Sequence, residues 1–249
     1  MSCFFFENRK VKDEVKYQKM GLIGAMKEEV LLIHKHMQTL NETTIAGILF
    51  VEGLLCGQPI VVCKSGVGKV NAALCTQILI DRFDIDAIVF TGVAGALDPR
   101  LEIGDLVISS ECMQHDVDVT ALGFPKGILP YQEKSIYKAD SYLFELAHEV
   151  SNVLFSGHTW QGRILSGDQF IASRAKVTEL HLDMLGICTE MEGAAVAQVC
   201  EMNRIPFVIV RSMSDKADGS AHLNFAEFTI QASENSFKII EAILKKLLP

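Results

Sequence analysis

"IVVCKSGVGKVNAALCTQILIDR", residues Ile60–Arg82, decides the fold class. Ile60–Lys64 is a short β-branched run of strand length. A glycine-bearing turn follows, and Lys69–Arg82 then carries apolar residues at helical spacing. Strand, tight turn and helix in direct succession form half of a βαβ unit. The turn is not a triphosphate loop: that motif needs Gly at position 63 and Ser or Thr at position 70, where Cys63 and Val70 stand.

The same alternation runs along the chain. Further strands are predicted at Gly21–Ala25, Leu49–Leu54, Ala87–Thr91, Asp105–Ser109, Gly162–Leu165, Ile187–Glu190 and Phe207–Arg211. Helices are predicted at Ser141–Val153, Gly193–Asn203 and Phe225–Leu247, the last with Asn224 and Glu227 at capping-box spacing. Apolar strands separated by helices predict a mainly parallel sheet covered on both faces. No linker or repeat divides the chain, so residues 20–249 read as one domain. Residues 1–19 read as a mobile polar extension.

Composition narrows the function classes. A net charge of −8 without a long Lys/Arg run argues against nucleic acid or an anionic membrane as partner. No apolar run approaches the ~20 residues of a membrane span. The seven cysteines include no C-x-x-C pair and mostly sit in apolar runs, which predicts reduced core thiols in a cytoplasmic protein rather than disulfides or zinc.

In open α/β sheets, ligands collect at the carboxyl ends of strands. Those ends read "GAMKEE" (24–29), "KSGVGK" (64–69), "TGVAGAL" (91–97), "SGDQF" (166–170), "TEMEG" (189–193) and "RSMSD" (211–215). Glycines, small residues and carboxylates gather there. Glu190 and Glu192 raise a question of their own, because ionised carboxylates in an apolar stretch need partners. In an extended segment both would face one side; if the strand ends near Met191, alternation no longer decides their directions.

These ends, in this order and from about Met20 to Leu248, resemble the 5′-methylthioadenosine/S-adenosylhomocysteine nucleosidases of the nucleoside phosphorylase superfamily. The glycine turns alone are common; "GAMKEE", "SGDQF", "EMEG" and "RSMSD" together are specific. The resemblance implies a single-domain three-layer α/β/α sandwich with a central mixed β-sheet, assembled as a homodimer. It implies hydrolysis of adenine nucleosides with no cofactor and no metal.

Releasing adenine requires an acid for the leaving base, an activated water and support for a cationic sugar. An aspartate after an apolar strand ordinarily caps a turn, but the resemblance makes Asp215 the acid for adenine N7, oriented by Ser214. Two acids at a helix start ordinarily complement its dipole. By resemblance Glu29 is the base and Glu28 keeps the structural role. Glu192 would accept the ribose 2′- and 3′-hydroxyls beside Met191, and Glu190 would be structural, pairing with Arg211. Phe170 would stack on adenine, with the Ile171 backbone reading its edge. Met26, Val67, Ala94, Gly95 and Phe225 would complete the wall. Val119, Leu122, Phe124 and Pro130 would reach the neighbouring subunit's pocket and cover the 5′-substituent.

The chain departs from the family in two places: Val93 stands where some relatives carry Ser, and Leu122 where some carry an aromatic. His115, Asp116 and Asp118 could suggest a metal, but the sequence supplies no convincing further ligand. The competing functions are a phosphorylase using phosphate and a non-catalytic nucleoside-binding protein. Glu29 argues against the first, since a carboxylate repels phosphate. The joint presence of Glu29, Glu192 and Asp215 argues against the second.

Overall fold

The computed structural model describes residues 16–217 and 221–248, except for the side chains of 221–227. The chain runs β1 (Met20–Gly24), α1 (Lys27–His36), β2 (Gln38–Ile45), β3 (Ile48–Leu55), β4 (Gln58–Lys64), α2 (Lys69–Phe83) and β5 (Ala87–Ala96). It continues through β6 (Leu106–Gln114), β7 (Ile136–Lys138), α3 (Ser141–Leu154), β8 (Thr159–Ser166) and α4 (Arg174–Leu182). The last elements are β9 (Gly186–Glu190), α5 (Gly193–Asn203), β10 (Phe207–Asp215) and α6 (Ala221–Leu247).

Alternation along the strands builds a core on each face. Ile23, Ile88 and Phe90 meet Ala72, Leu79 and Phe83 of α2 and Val196 and Cys200 of α5. Leu22, Val89 and Val208 face the other way, toward Ile33 of α1, Leu146 of α3 and Ile240 and Leu244 of α6. The result is the expected three-layer α/β single domain. Cys63, Cys75, Cys112, Cys188 and Cys200 are buried free thiols within it.

The sheet is mixed, as the family resemblance implies, and not mainly parallel as the strand–helix alternation alone predicts. β1 pairs parallel with β4 and β5, and β5 with β10, but β3–β4, β2–β3, β5–β9, β6–β7 and β6–β10 are antiparallel. β5 organises the topology. Its first half pairs with β1 through Met20↔Ala87 to Ile23↔Phe90, and its end pairs with β9 at Gly95 and Ala96. Its other edge follows β10 along its length, and β10–β6–β8–β9 closes back onto β5. β1 and β9 therefore part company along one edge of β5. A cleft opens between them.

Three expectations change. β5 and β10 continue through "TGVAGA" and "RSMSD", because they pair with each other there (Ser212↔Val93, Met213↔Ala94); those residues are strand, not loop. Helix α6 already includes Ala221, so Asn224 lies inside it and does not cap it. Of the extension expected at residues 1–19, residues 1–15 lie outside the described residues; Tyr17 is buried, and the Gln18 and Lys19 amides donate to the Asp86 carboxylate, so these last residues belong with the domain. Edge strand β2 escapes sequence reading because it is polar and exposed, and its turn into β3 uses Ala46 and Gly47 at positive φ instead of a recognisable Asn-Gly. Among the described residues no helix is long and apolar enough to cross a membrane.

Candidate active site

The cleft holds a cavity of about 300 Å³. The segment after β1 brings Met26 and Glu29 to it, and the β4–α2 turn brings Val67. β5 supplies Ala94 and Gly95, and the loop after β8 supplies Phe170 and Ile171. The β9–α5 turn adds Met191 and Glu192, and the end of β10 adds Ser214 and Asp215. Phe225 lies outside the described side chains. Val119, Leu122, Phe124 and Pro130 do not line this chain's cavity; Leu122 is 68% exposed, and Phe124 packs edge-on to Tyr131.

Glu29 sits in the first turn of α1, beneath the last residues of the β1 segment. Its Oε2 accepts from the Ala25 and Met26 amides at 2.6 and 2.8 Å, and its Oε1 from the Val93 amide at 3.1 Å. Burial pushes the carboxyl above its ordinary value, against the pull of Arg211 and those three amides. A raised carboxyl that keeps strong donors suits a base working near neutrality. The neighbouring Glu28 is exposed in the first turn of α1, where a carboxylate complements the helix dipole.

The two glutamates of "TEMEG" separate because β9 stops at Glu190. Glu192 turns out of the strand (φ −137, ψ −41) as the N-cap of α5. Glu190 is saturated by protein: the Ser166 hydroxyl, the Glu192 and Gly193 amides and the Arg211 guanidinium all donate to it. Glu192 keeps one oxygen on the Gly68 amide at 2.8 Å, and the other lies 4.0 Å from Arg211. Burial and the Glu190 charge push Glu192 up to about 8, against Arg211 and the Gly68 amide, with Glu29 adding to the rise. One glutamate binds protein. The other is left for a ligand that donates hydrogen bonds or carries positive charge.

Asp215 is buried at the end of β10. The Ser214 hydroxyl donates to Oδ1 at 2.7 Å and the Ala217 amide to Oδ2 at 2.8 Å, so both flanking groups fix its plane. Arg211 is wholly buried over the Phe90 ring, 4.0 Å from its centroid, and is surrounded by Glu29, Glu190 and Glu192.

Gly92 explains why "TGVAG" must carry a glycine there. A methyl at that position would collide with the Arg211 guanidinium and lie 2.6 Å from Glu29 Oε1. Gly92→Ala is therefore expected to cost about 1–3 kcal/mol by overpacking and to lower turnover by displacing Glu29. Thermal unfolding and kcat measured together check this; wild-type values for both would contradict it.

Sequence reading did not nominate Ala25, Gln169, Thr189 or Glu190 as cavity lining, although Ala25, Gln169 and Glu190 each adjoin a nominated residue. Val93, noted only as a departure, also lines the cavity. Of His115, Asp116 and Asp118, the two carboxylates are engaged by protein: Asp116 pairs with Lys69, and Asp118 holds the Thr120 amide and hydroxyl. His115 is buried, with neither ring nitrogen hydrogen-bonded among the described residues. No group of three His, Cys, Asp or Glu among the described residues is placed to hold a metal.

The family model described as phosphorylase superfamily matches residues 19–245. A 5′-methylthioadenosine/S-adenosylhomocysteine nucleosidase from Exiguobacterium is 42% identical over 92% of this chain and 98% of its own. The crystal structure of the nucleosidase of that name from Neisseria meningitidis, in complex with methylthio-immucillin-A, is 37% identical with a TM-score of 0.88. It covers 92% of this chain and 99% of its own. A futalosine hydrolase of Helicobacter pylori is also similar, at 34% identity and a TM-score of 0.88 over 92% of this chain and 98% of its own. On this end-to-end similarity, the chain belongs to the phosphorylase superfamily and, within it, to the 5′-methylthioadenosine/S-adenosylhomocysteine nucleosidases.

Proposed function

We infer that the protein hydrolyses the N-glycosidic bond of 5′-methylthioadenosine, S-adenosylhomocysteine and related 5′-substituted adenosines, releasing adenine and the 5′-substituted ribose. One observation carries hydrolysis over phosphorolysis. Four of the described residues lining the cavity are acids (Glu29, Glu190, Glu192 and Asp215) and none is Lys or Arg. The nearby cation, Arg211, is already engaged by Glu190. Phosphate needs unpaired donors and no adjacent anions. A cationic sugar needs the reverse.

In the mechanism this supports, adenine stacks on Phe170, and Asp215 gives a proton to N7 as the C1′–N9 bond breaks and its electron pair passes to the purine. Glu192 accepts the ribose hydroxyls. Its negative charge, held in a buried site, strengthens most as the sugar becomes cationic. Water attacks C1′ and yields its proton to Glu29. Val93 contributes only its backbone amide, which holds Glu29, so water positioning rests on the carboxylate. No step requires a cofactor. The test is adenine release from 5′-methylthioadenosine in phosphate-free buffer. Activity only when phosphate is added would sink the hydrolytic reading, and tight binding without release would favour the non-catalytic one.

The working form in this proposal is a cytoplasmic homodimer of one nucleosidase domain, the expected residues 20–249 together with the anchored Tyr17–Lys19. Val67 and Phe170 line the cavity yet are 50% and 55% exposed, which supports a covering partner at its mouth. Leu122 of the neighbour is the candidate cover. Because Leu122 is exposed in the single chain, Leu122→Glu should leave the fold intact, weaken association in sedimentation, and raise KM most for substrates with long 5′ groups. A fully active monomer with unchanged KM would overturn the shared site.

A further inference from the structure

Beside the cavity, behind residues that line it, lies a ring of charged groups that the mechanism does not use. The first two amides of the α2 segment point to carboxylates from two different loops. Gly68 N donates to Glu192 Oε1 at 2.8 Å, and Lys69 N donates to Asp168 Oδ1 at 2.8 Å. The Lys69 ammonium then bonds Asp116 Oδ1 at 2.6 Å and Gln114 Oε1 at 2.9 Å. Asp116 Oδ2 accepts the Asp168 amide at 2.9 Å, which closes the ring. Lys69 and Asp116 are 16% and 14% exposed, so solvent screens this pair less than a surface one. Burial alone would raise the Asp116 carboxyl; the Lys69 and Asp168 donors outweigh it and hold it below the ordinary range.

Two sides of the ring adjoin groups that line the cavity, Glu192 through Gly68 and Phe170 through Asp168. Gly68, at φ +98, presents its amide to Glu192, and a side chain there would be strained and would crowd Asp168 Oδ1 at 3.2 Å. Asp168 lies two residues before Phe170, and Asp116 holds the Asp168 amide. We propose that Lys69, Asp116 and Asp168 form a positioning clamp that fixes the sugar carboxylate Glu192 relative to the base-covering loop 167–171. Lys69 is its central positioning residue. The clamp touches no substrate atom. It acts by keeping the Gly68 amide on Glu192 and the Phe170 loop on the cavity at the same time, as pre-organisation of a site requires.

This inference rests on the nucleosidase reading, and the test separates the two. Lys69→Met, Lys69→Arg and Asp116→Asn are compared with wild type on 5′-methylthioadenosine and on its 2′-deoxy counterpart, with thermal unfolding alongside. The clamp predicts that Met and Asn lower kcat/KM on the riboside about tenfold or more. It predicts a clearly smaller loss on the 2′-deoxyriboside, which makes less use of Glu192, and partial recovery with Arg. Equal losses on both substrates, or no loss, overturn it. If Lys69→Met does not fold, the nearly isosteric Asp116→Asn carries the same comparison. Wild type that releases no adenine refutes the nucleosidase reading instead. In that case calorimetric binding of 5′-methylthioadenosine still decides the clamp, with at least tenfold weaker binding expected for Asp116→Asn and unchanged affinity overturning it.

Discussion

Asp215→Asn releases adenine from 5′-methylthioadenosine about 10²–10⁴ times more slowly than wild type, the range that a positioned general acid contributes. Its affinity for the nucleoside stays close to that of wild type. The environment of Asp215 accounts for both halves of the result. An asparagine can turn its oxygen toward the Ala217 amide and its NH₂ toward the Ser214 hydroxyl, which accepts as readily as it donates. The side chain thus keeps its shape and its neighbours but has no proton acidic enough for N7. The loss therefore falls on kcat. Single-turnover adenine release with calorimetric binding reads the two separately. Near-wild-type turnover removes Asp215 from the role of acid, and a large loss of affinity with unchanged kcat makes it a binding group only.

Glu192→Gln lowers kcat/KM on 5′-methylthioadenosine about 10²-fold or more, on the scale of removing one electrostatic contact to a developing charge. The loss is smaller on a 2′-deoxy substrate. The variant also changes the pH behaviour. In the free protein Glu192 is pushed up to about 8 by burial and Glu190, whereas binding the diol and a cationic sugar favours its ionised form. Wild-type kcat/KM on ribosides should accordingly climb as pH rises toward 8, and the variant should lose that part of the climb. Stability runs the other way. Between the ordinary carboxyl range and pH 8 the folded state holds a proton that the unfolded chain has released, so stability falls as pH rises. Glu192→Gln should flatten that fall in Tm measured without ligand. Equal losses on ribosides and 2′-deoxyribosides, or a Tm profile parallel to wild type, would count against the assignment.

The sequence by itself determined the α/β class, because strand-length β-branched runs and helix-length amphipathic runs are local patterns set by the next few residues. The strand ends also gathered the motifs that carry Glu29, Phe170, Glu192 and Asp215, since those ends converge in a layered sheet; the choice of these residues within the motifs came from the family resemblance. What is held across the chain was not legible. The pairing of β5 with β10 through "TGVAGA" and "RSMSD" makes strand out of glycine- and serine-rich segments whose propensity points to loop. The split between β1 and β9 along β5, which opens the cavity, depends on register. Residue pattern alone left the two glutamates of "TEMEG" equivalent, and only the family resemblance assigned Glu190 to Arg211 and Glu192 to the sugar. They diverge only because β9 ends between them, leaving Glu190 to Arg211 and Glu192 to the cavity. Lys69, Asp116 and Asp168 are 47 and 99 residues apart in their contacts, and no periodicity encodes such an encounter. Local pattern fixes what each segment becomes; only the closed sheet decides which charges must share one low-dielectric space, and that sharing sets which carboxylate is neutralised by protein and which stays available to substrate.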